Sequence, residues 1–214
     1  MNGWLGGGMA LAALIVLAAP ARADDQDVDA AFKTFLAAAE GTNWPAESAA
    51  RAALKKTGRD ALPLLLKAAR DQPSGRVRRA CYDVLIDAFP RDEPVAALLI
   101  DPGLKDPEPA IRYQSAYMLG TWKVEAAAKP LRTLLDDHSS AFARYTAAKS
   151  LAELGEADVL PILYQAVSDD SYMARSKGNI GLKALSGKNL NDFEGYNFGE
   201  GAFVSGGVEA MMAF

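Results

Sequence analysis

The chain has 214 residues, of which half are apolar; 41 are Ala and 25 are Leu, whereas Val, Ile and Thr contribute only 10, 6 and 6. Ala and Leu favour helices and β-branched residues favour strands, so this composition argues against a β-sandwich or barrel and favours an all-α protein. The net charge of −4 disfavours nucleic-acid binding, which needs a basic face. One Cys and one His cannot form an intramolecular disulfide or complete a zinc site, and we expect no metal or other cofactor.

The first 23 residues are typical of a secretory signal peptide. A mostly apolar run at 5–19 is shorter than the roughly 20 residues that span a bilayer, and Ala21 and Ala23 form an A-x-A cleavage site. The segment before the run lacks the usual Lys or Arg, which leaves an uncleaved anchor and a buried helix as alternatives. We expect cleavage after Ala23, a periplasmic or secreted chain, and no transmembrane span after cleavage. Loss of Arg22 would change the net charge from −4 to −5.

Residues 24–57 are predicted to form an N-terminal capping pair of helices. The pattern favours helices at 28–40 and 45–56, joined by a short loop that contains Trp44. We expect Trp44, and Trp122 further along the chain, to fill the core at junctions between helical units.

Four repeated units follow. Each contains an Arg that comes directly after an apolar or small residue, and these arginines are 34, 32 and 31 residues apart. Apolar or small residues at −1, +3, +4 and +7 from this Arg form one stripe of a helix, helix B. Three units carry Pro at the start of an upstream apolar stretch, helix A, and an Asp lies six or seven residues before each Arg. The units span about 58–90, 93–122, 126–155 and 157–186. Their Asp and Arg pairs are Asp71 and Arg78, Asp106 and Arg112, Asp137 and Arg144, and Asp169 and Arg175.

This pattern resembles the short bacterial HEAT-like repeats that are also found in phycobilin lyases. The resemblance covers about residues 58–186 and is strongest at 106–120 (DPEPAIRYQSAYMLG) and 127–155. It implies an α-solenoid, a right-handed superhelical arc of about ten helices in which stacked units share one core. It also implies that the Asp and Arg pairs form a structural ladder between units, and that the B helices line the concave surface.

Positions +1 and +5 from each ladder Arg lie one turn apart beside the core stripe. Tyrosines there are predicted to form an adjacent aromatic patch, since Tyr is enriched in binding interfaces. The alternative is that these tyrosines pack between units. The candidate partner-binding residues are Arg79, Asp83, Tyr113, Tyr117, Tyr145 and Lys149.

The remaining single features point to structure rather than to chemistry. His138 is expected in an exposed turn, and Cys81, on an apolar helix face, is expected to be a buried thiol rather than a reactive one. No hydrolase, metalloprotease, phosphate-loop or dinucleotide motif occurs, so no catalytic residue is assigned. The irregular segment 187–214, rich in Gly, aromatic and acidic residues, is predicted either to cap the last unit or to bind a partner.

These observations predict an exported, monomeric, non-enzymatic HEAT-like scaffold that binds an unidentified protein partner. One alternative is a structural, envelope-associated component without a discrete ligand. Another is an enzyme of the phycobilin-lyase kind, which the signal peptide disfavours. A HEAT-like DNA glycosylase is disfavoured by the acidic charge.

Overall fold

The computed structural model describes residues 23–136, 140–187, 196–197 and 202–203. About 80% of these residues are helical, and the single pair of short strands that the structure describes comes after the last helix. The helices are α1 (Ala23–Glu40), α2 (Trp44–Lys56), α3 (Leu62–Asp71), α4 (Gly75–Ala88), α5 (Glu93–Ile100), α6 (Pro109–Thr121), α7 (Ala128–Thr133), α8 (Ala141–Glu153), α9 (Leu160–Val167) and α10 (Tyr172–Ser186). Strands β1 (Tyr196–Asn197) and β2 (Ala202–Phe203) pair antiparallel, with Tyr196 opposite Phe203. The prediction of an all-α solenoid is confirmed.

The helix starts are encoded locally by caps and prolines. The side chains of Asn43, Ser74 and Ser140 accept hydrogen bonds from the backbone N–H three residues later, at the starts of α2, α4 and α8. Proline occupies one of the first two positions of five helices, where its missing N–H removes no helical hydrogen bond. These prolines are Pro45, Pro63, Pro94, Pro109 and Pro161.

The core follows the stripe that the repeat pattern predicts. In α6, the residues at −1, +3, +4 and +7 from Arg112 are all fully buried. They are Ile111, Ser115, Ala116 and Leu119. Cys81 is also fully buried, as predicted, and desolvation raises the pKa of its thiol to about 12. One continuous cluster of buried residues extends from α1 to α10, which is the shared core expected of a solenoid.

The B helices of the last three units, α6, α8 and α10, pack directly on one another, whereas the A helices of successive units stand further apart. Small residues permit this close approach. A Cβ atom at Gly120 of α6 would lie only 2.5 Å from Cβ of Ser150 in α8. The Oγ atom of Ser150 donates a 2.8 Å hydrogen bond to the carbonyl oxygen of Ala116. The array therefore curves toward the B helices. We call the surface that the B helices expose to solvent the inner face.

The prediction for Trp44 was wrong. Trp44 begins α2 with 73% of its surface exposed, whereas Trp122 is half-buried and packs against the core. The buried side of α2 is formed by Glu47, Ala50 and Leu54. At 3.6 residues per turn, Trp44 lies about 90° away from that side and points to solvent.

Several predicted features lie outside the described residues. They are the signal peptide apart from its last residue, the turn that contains Asp137 and His138, and most of the segment after Gly187. Within the described ranges, no helix combines the length and the hydropathy needed to cross a bilayer.

Candidate functional site on the inner face

The ladder arginines brace the turns of their own units. In the first, second and fourth units, Nη1 of the Arg donates hydrogen bonds to the carbonyl oxygens six and five residues earlier. The distances are 2.9 and 3.0 Å from Arg78 to Gln72 and Pro73, 2.8 and 3.1 Å from Arg112 to Asp106 and Pro107, and 3.0 and 2.7 Å from Arg175 to Asp169 and Asp170. These bonds hold the chain between helix A and helix B in one conformation.

Arg78 also joins the first unit to the second. Its Nε and Nη2 atoms donate to the two carboxylate oxygens of Asp106, at 2.9 and 2.7 Å, and both side chains are buried. Oδ1 of Asp106 accepts a further bond, of 2.8 Å, from the N–H of Glu108. The hydrogen bond to Asp106 raises the pKa of Arg78. This bidentate, buried pair is the strongest form of the ladder contact that the resemblance implies.

The other described ladder residues make different contacts. Arg144 reaches Gln165 of α9, and the hydroxyl of Tyr145 donates to Asp169 at 3.2 Å. Asp71 is exposed at the end of α3, where no side-chain partner is recorded for it in the described residues. The ladder is therefore not one ion pair repeated at each junction.

A polar network covers the inner face near the N-terminal end. The carboxylate of Asp83 accepts hydrogen bonds from Gln114 at 2.7 Å and from Arg51 at 3.1 Å, and Arg51 also pairs with Glu47 at 2.7 Å. This network connects α2, α4 and α6. Arg79, the companion of Asp83 in the predicted surface, is exposed to solvent on α4.

Further along the inner face, aromatic and lysine side chains from three units come together. The ring of Tyr113 lies 4.4 Å from that of Phe142 and 6.2 Å from that of Tyr117. The Nζ atom of Lys149 lies 4.0 Å from the centre of the Tyr117 ring, and that of Lys177 lies 4.5 Å from the same centre. We call these five residues the Lys–aromatic cluster.

The two ammonium groups of the cluster are almost completely withdrawn from solvent. Lys149 is 1% exposed and pairs with Glu153 at 2.6 Å, whereas Lys177 is 5% exposed. Desolvation lowers the pKa of both lysines, because burial disfavours their charged forms. The three rings are only half-buried, so the cluster presents aromatic surface beside concealed positive charge.

Three of the six predicted binding residues, Tyr113, Tyr117 and Lys149, thus meet at one place. Tyr145 does not join them, which corrects the expected three-tyrosine patch. It is 7% exposed and packs against Ala166 and Ala174 of the last unit. Tyr145 therefore packs between units, which was the alternative interpretation, because α6 and α10 enclose α8 on either side.

Sequence reasoning missed Phe142 and Lys177. They lie at −2 and +2 from their ladder arginines, whereas the predicted binding positions are +1 and +5. Positions −2 and +5 are seven residues apart, or nearly two full turns, so Phe142 could have been placed on the same side of α8 as Lys149.

No group of His, Cys, Asp and Glu with metal-binding geometry is present in the ranges that the structure describes. The contacts above are hydrogen bonds, ion pairs and cation–π contacts between stacked helices. They define an α-solenoid built from repeated helix pairs.

Comparison with known families identifies the repeat. Residues 96–182, from within α5 to within α10, match the family model for HEAT repeats. This part of the chain is therefore built from HEAT-like repeats, in agreement with the all-helical fold. Among curated proteins, none matches the chain.

Proposed function

We propose that the protein is an exported, non-enzymatic, monomeric scaffold that binds a protein partner on its inner face. The observation that carries this proposal is the Lys–aromatic cluster, where half-buried rings from two neighbouring units form a continuous surface. Aromatic side chains dominate the energetics of protein interfaces. HEAT repeats, to which residues 96–182 belong, commonly serve protein interaction.

The N-terminal sequence supports export to the periplasm or the medium. The apolar run at 5–19 and the A-x-A motif ending at Ala23 are the features on which a signal peptidase acts. The full chain should be expressed in bacteria and its mass measured in each cell fraction. A product that begins at Asp24 in the periplasm or medium is expected. A full-length product retained in the cytoplasm would contradict export.

Partner binding is tested by affinity capture from extracts of the native cells, followed by mass spectrometry. The mature chain and a control variant, Lys129→Ala, which alters an exposed residue of α7, should recover the same partner. A Tyr113→Ala variant should recover much less of it, because the ring that contacts Phe142 and Tyr117 is removed. Recovery of no partner by the mature chain would favour the alternative of a structural, envelope-associated component.

A lyase-like activity is the less favoured alternative, and it is tested independently by incubating the protein with a bilin. Covalent attachment of the pigment to an added carrier protein would contradict the non-enzymatic proposal.

A further inference from the structure

The ammonium group of Lys177 has an unusual environment. Its side chain is 5% exposed, and its Nζ atom faces the rings of Tyr117, Tyr113 and Phe142 at 4.5, 5.3 and 5.9 Å. Within the described residues, neither a hydrogen bond nor an ion pair is recorded for it. Cation–π contacts compensate only part of the hydration that a buried ammonium loses.

The charges of the cluster do not balance. Two ammonium groups flank the ring of Tyr117, but the neighbouring carboxylate, Glu153, is engaged by Lys149 at 2.6 Å. Among the residues that the structure describes, one positive charge is left without a counterion in a largely desolvated site. Such a charge weakens the fold, so a lysine at this position is better explained by binding than by stability.

The size of the excess charge, a single positive charge, indicates the class of ligand. A single positive charge matches a carboxylate, which carries one negative charge, better than a phosphate dianion, which the nearby Glu153 would repel more strongly. The half-buried rings beside it offer apolar contact to the residues around that carboxylate.

We propose that the Lys–aromatic cluster binds an acidic side chain, Asp or Glu flanked by apolar residues, in an extended segment of the partner protein, with Lys177 as the main anion-binding residue. This proposal rests on the proposed function, because it names the chemistry that the inner face recognises. In this arrangement the incoming carboxylate pairs with Lys177, and the flanking apolar side chains pack on Tyr113 and Phe142.

The test measures binding of short peptides to the full mature chain by calorimetry. The probes are Gly-Phe-Glu-Phe-Gly with blocked ends, the same peptide with Gln in place of Glu, and a third with phosphoserine. The Glu peptide should bind at least about tenfold more tightly than the Gln peptide, since the charged hydrogen bond is lost with Gln. No measurable binding at millimolar concentration, equal binding of the Glu and Gln peptides, or tighter binding of the phosphoserine peptide would overturn the proposal.

A Lys177→Met variant separates binding from a structural role. Methionine keeps most of the side-chain volume and removes the buried charge, so the melting temperature should stay the same or rise while Glu-peptide affinity falls about tenfold or more. Lys129→Met alters an exposed lysine of α7; it is the matched control and should bind like the native chain. A large fall in the melting temperature of Lys177→Met, or unchanged peptide affinity, would overturn the proposal.

Capture of the native partner by Lys177→Met distinguishes a failure of the acidic-residue site from a failure of the scaffold proposal. If Lys177→Met still captures the native partner in full, the scaffold proposal stands and the acidic-residue site is wrong.

Discussion

The first and second units are joined by long polar side chains, whereas the second and third are joined by small residues in close contact. Between α4 and α6, the buried pair of Arg78 and Asp106 bridges the gap, and Gln114 reaches Asp83. Between α6 and α8, Gly120 lies against Ser150. The stability of the polar junction depends on a few contacts, each of which contributes strongly. The close junction instead requires that Gly120 have no side chain, because α6 and α8 could not otherwise approach each other so closely. The closeness of α6, α8 and α10 also allows aromatic and lysine residues of three units to meet at one site.

The largest effect is expected at the polar junction. Arg78→Ala should lower the free energy of unfolding by about 3–5 kcal/mol, because it leaves the carboxylate of Asp106 buried without its partner. The matched control is Arg144→Ala, which loses a hydrogen bond to the exposed Gln165 and should cost less than about 1 kcal/mol. Denaturant unfolding measures both. Equal losses for the two variants would mean that burial of the pair of Arg78 and Asp106 does not make it more important than an exposed contact.

A smaller loss is expected from adding one methyl group to the close junction. Alanine is normally favoured over glycine in a helix by about 1 kcal/mol. Gly120→Ala should reverse that sign and destabilise the protein by about 1–3 kcal/mol, since the new Cβ would lie 2.6 Å from Cα of Ser150.

The control for this substitution is Gly75→Ala in the first turn of α4. Its nearest neighbour would be the flexible Glu108 side chain at 3.2 Å, which can move aside. Gly75→Ala should therefore leave the midpoint of denaturant unfolding unchanged or raise it. A Gly120→Ala variant that is as stable as Gly75→Ala would show that α6 and α8 separate at little cost.

The smallest effect is a gain. The hydroxyl of Tyr82 is buried near the polar junction without a hydrogen-bond partner among the described residues. Tyr82→Phe should thus raise stability, by roughly 1 kcal/mol, because it removes an unsatisfied polar group and keeps the ring. A loss of stability in thermal unfolding would indicate that the hydroxyl is bonded after all.

The same variant has a pH signature. Desolvation raises the pKa of Tyr82 above its usual value of 10.0, so the unfolded chain releases this proton at lower pH than the folded chain does. The contribution of the neutral phenol is fully present below pH 10 and is lost as pH rises above it. The stability of Tyr82→Phe should decline less steeply above this pH than that of the native chain. Parallel declines would contradict the raised pKa.

The sequence was sufficient to predict features that repeat. The stripe around Arg112 and the prolines at helix starts recur in several units, and the structure places them as the pattern indicates. The place of Trp44 was not predictable in this way, because it occurs once and its exposure depends on where α2 begins.

The candidate site could be predicted only in part. Tyr117 and Lys149 share position +5 in neighbouring units, so the ladder period brings them together. Lys177 reaches the rings of the second unit from the fourth, a contact across one intervening unit that depends on how closely the B helices stack. A sequence pattern specifies which residues share a helix face, but not the distance between faces two units apart.

The most direct test of the central claim is photo-crosslinking of the partner from single positions. A photoreactive phenylalanine analogue is placed at Arg79 or Thr121, exposed residues on B helices α4 and α6, and at Lys67 or Lys129, exposed residues on A helices α3 and α7. If the inner face binds the partner, crosslinked partner should form from Arg79 and Thr121 and be absent from Lys67 and Lys129. Crosslinking from the A helices alone, or equally from all four positions, would contradict the account.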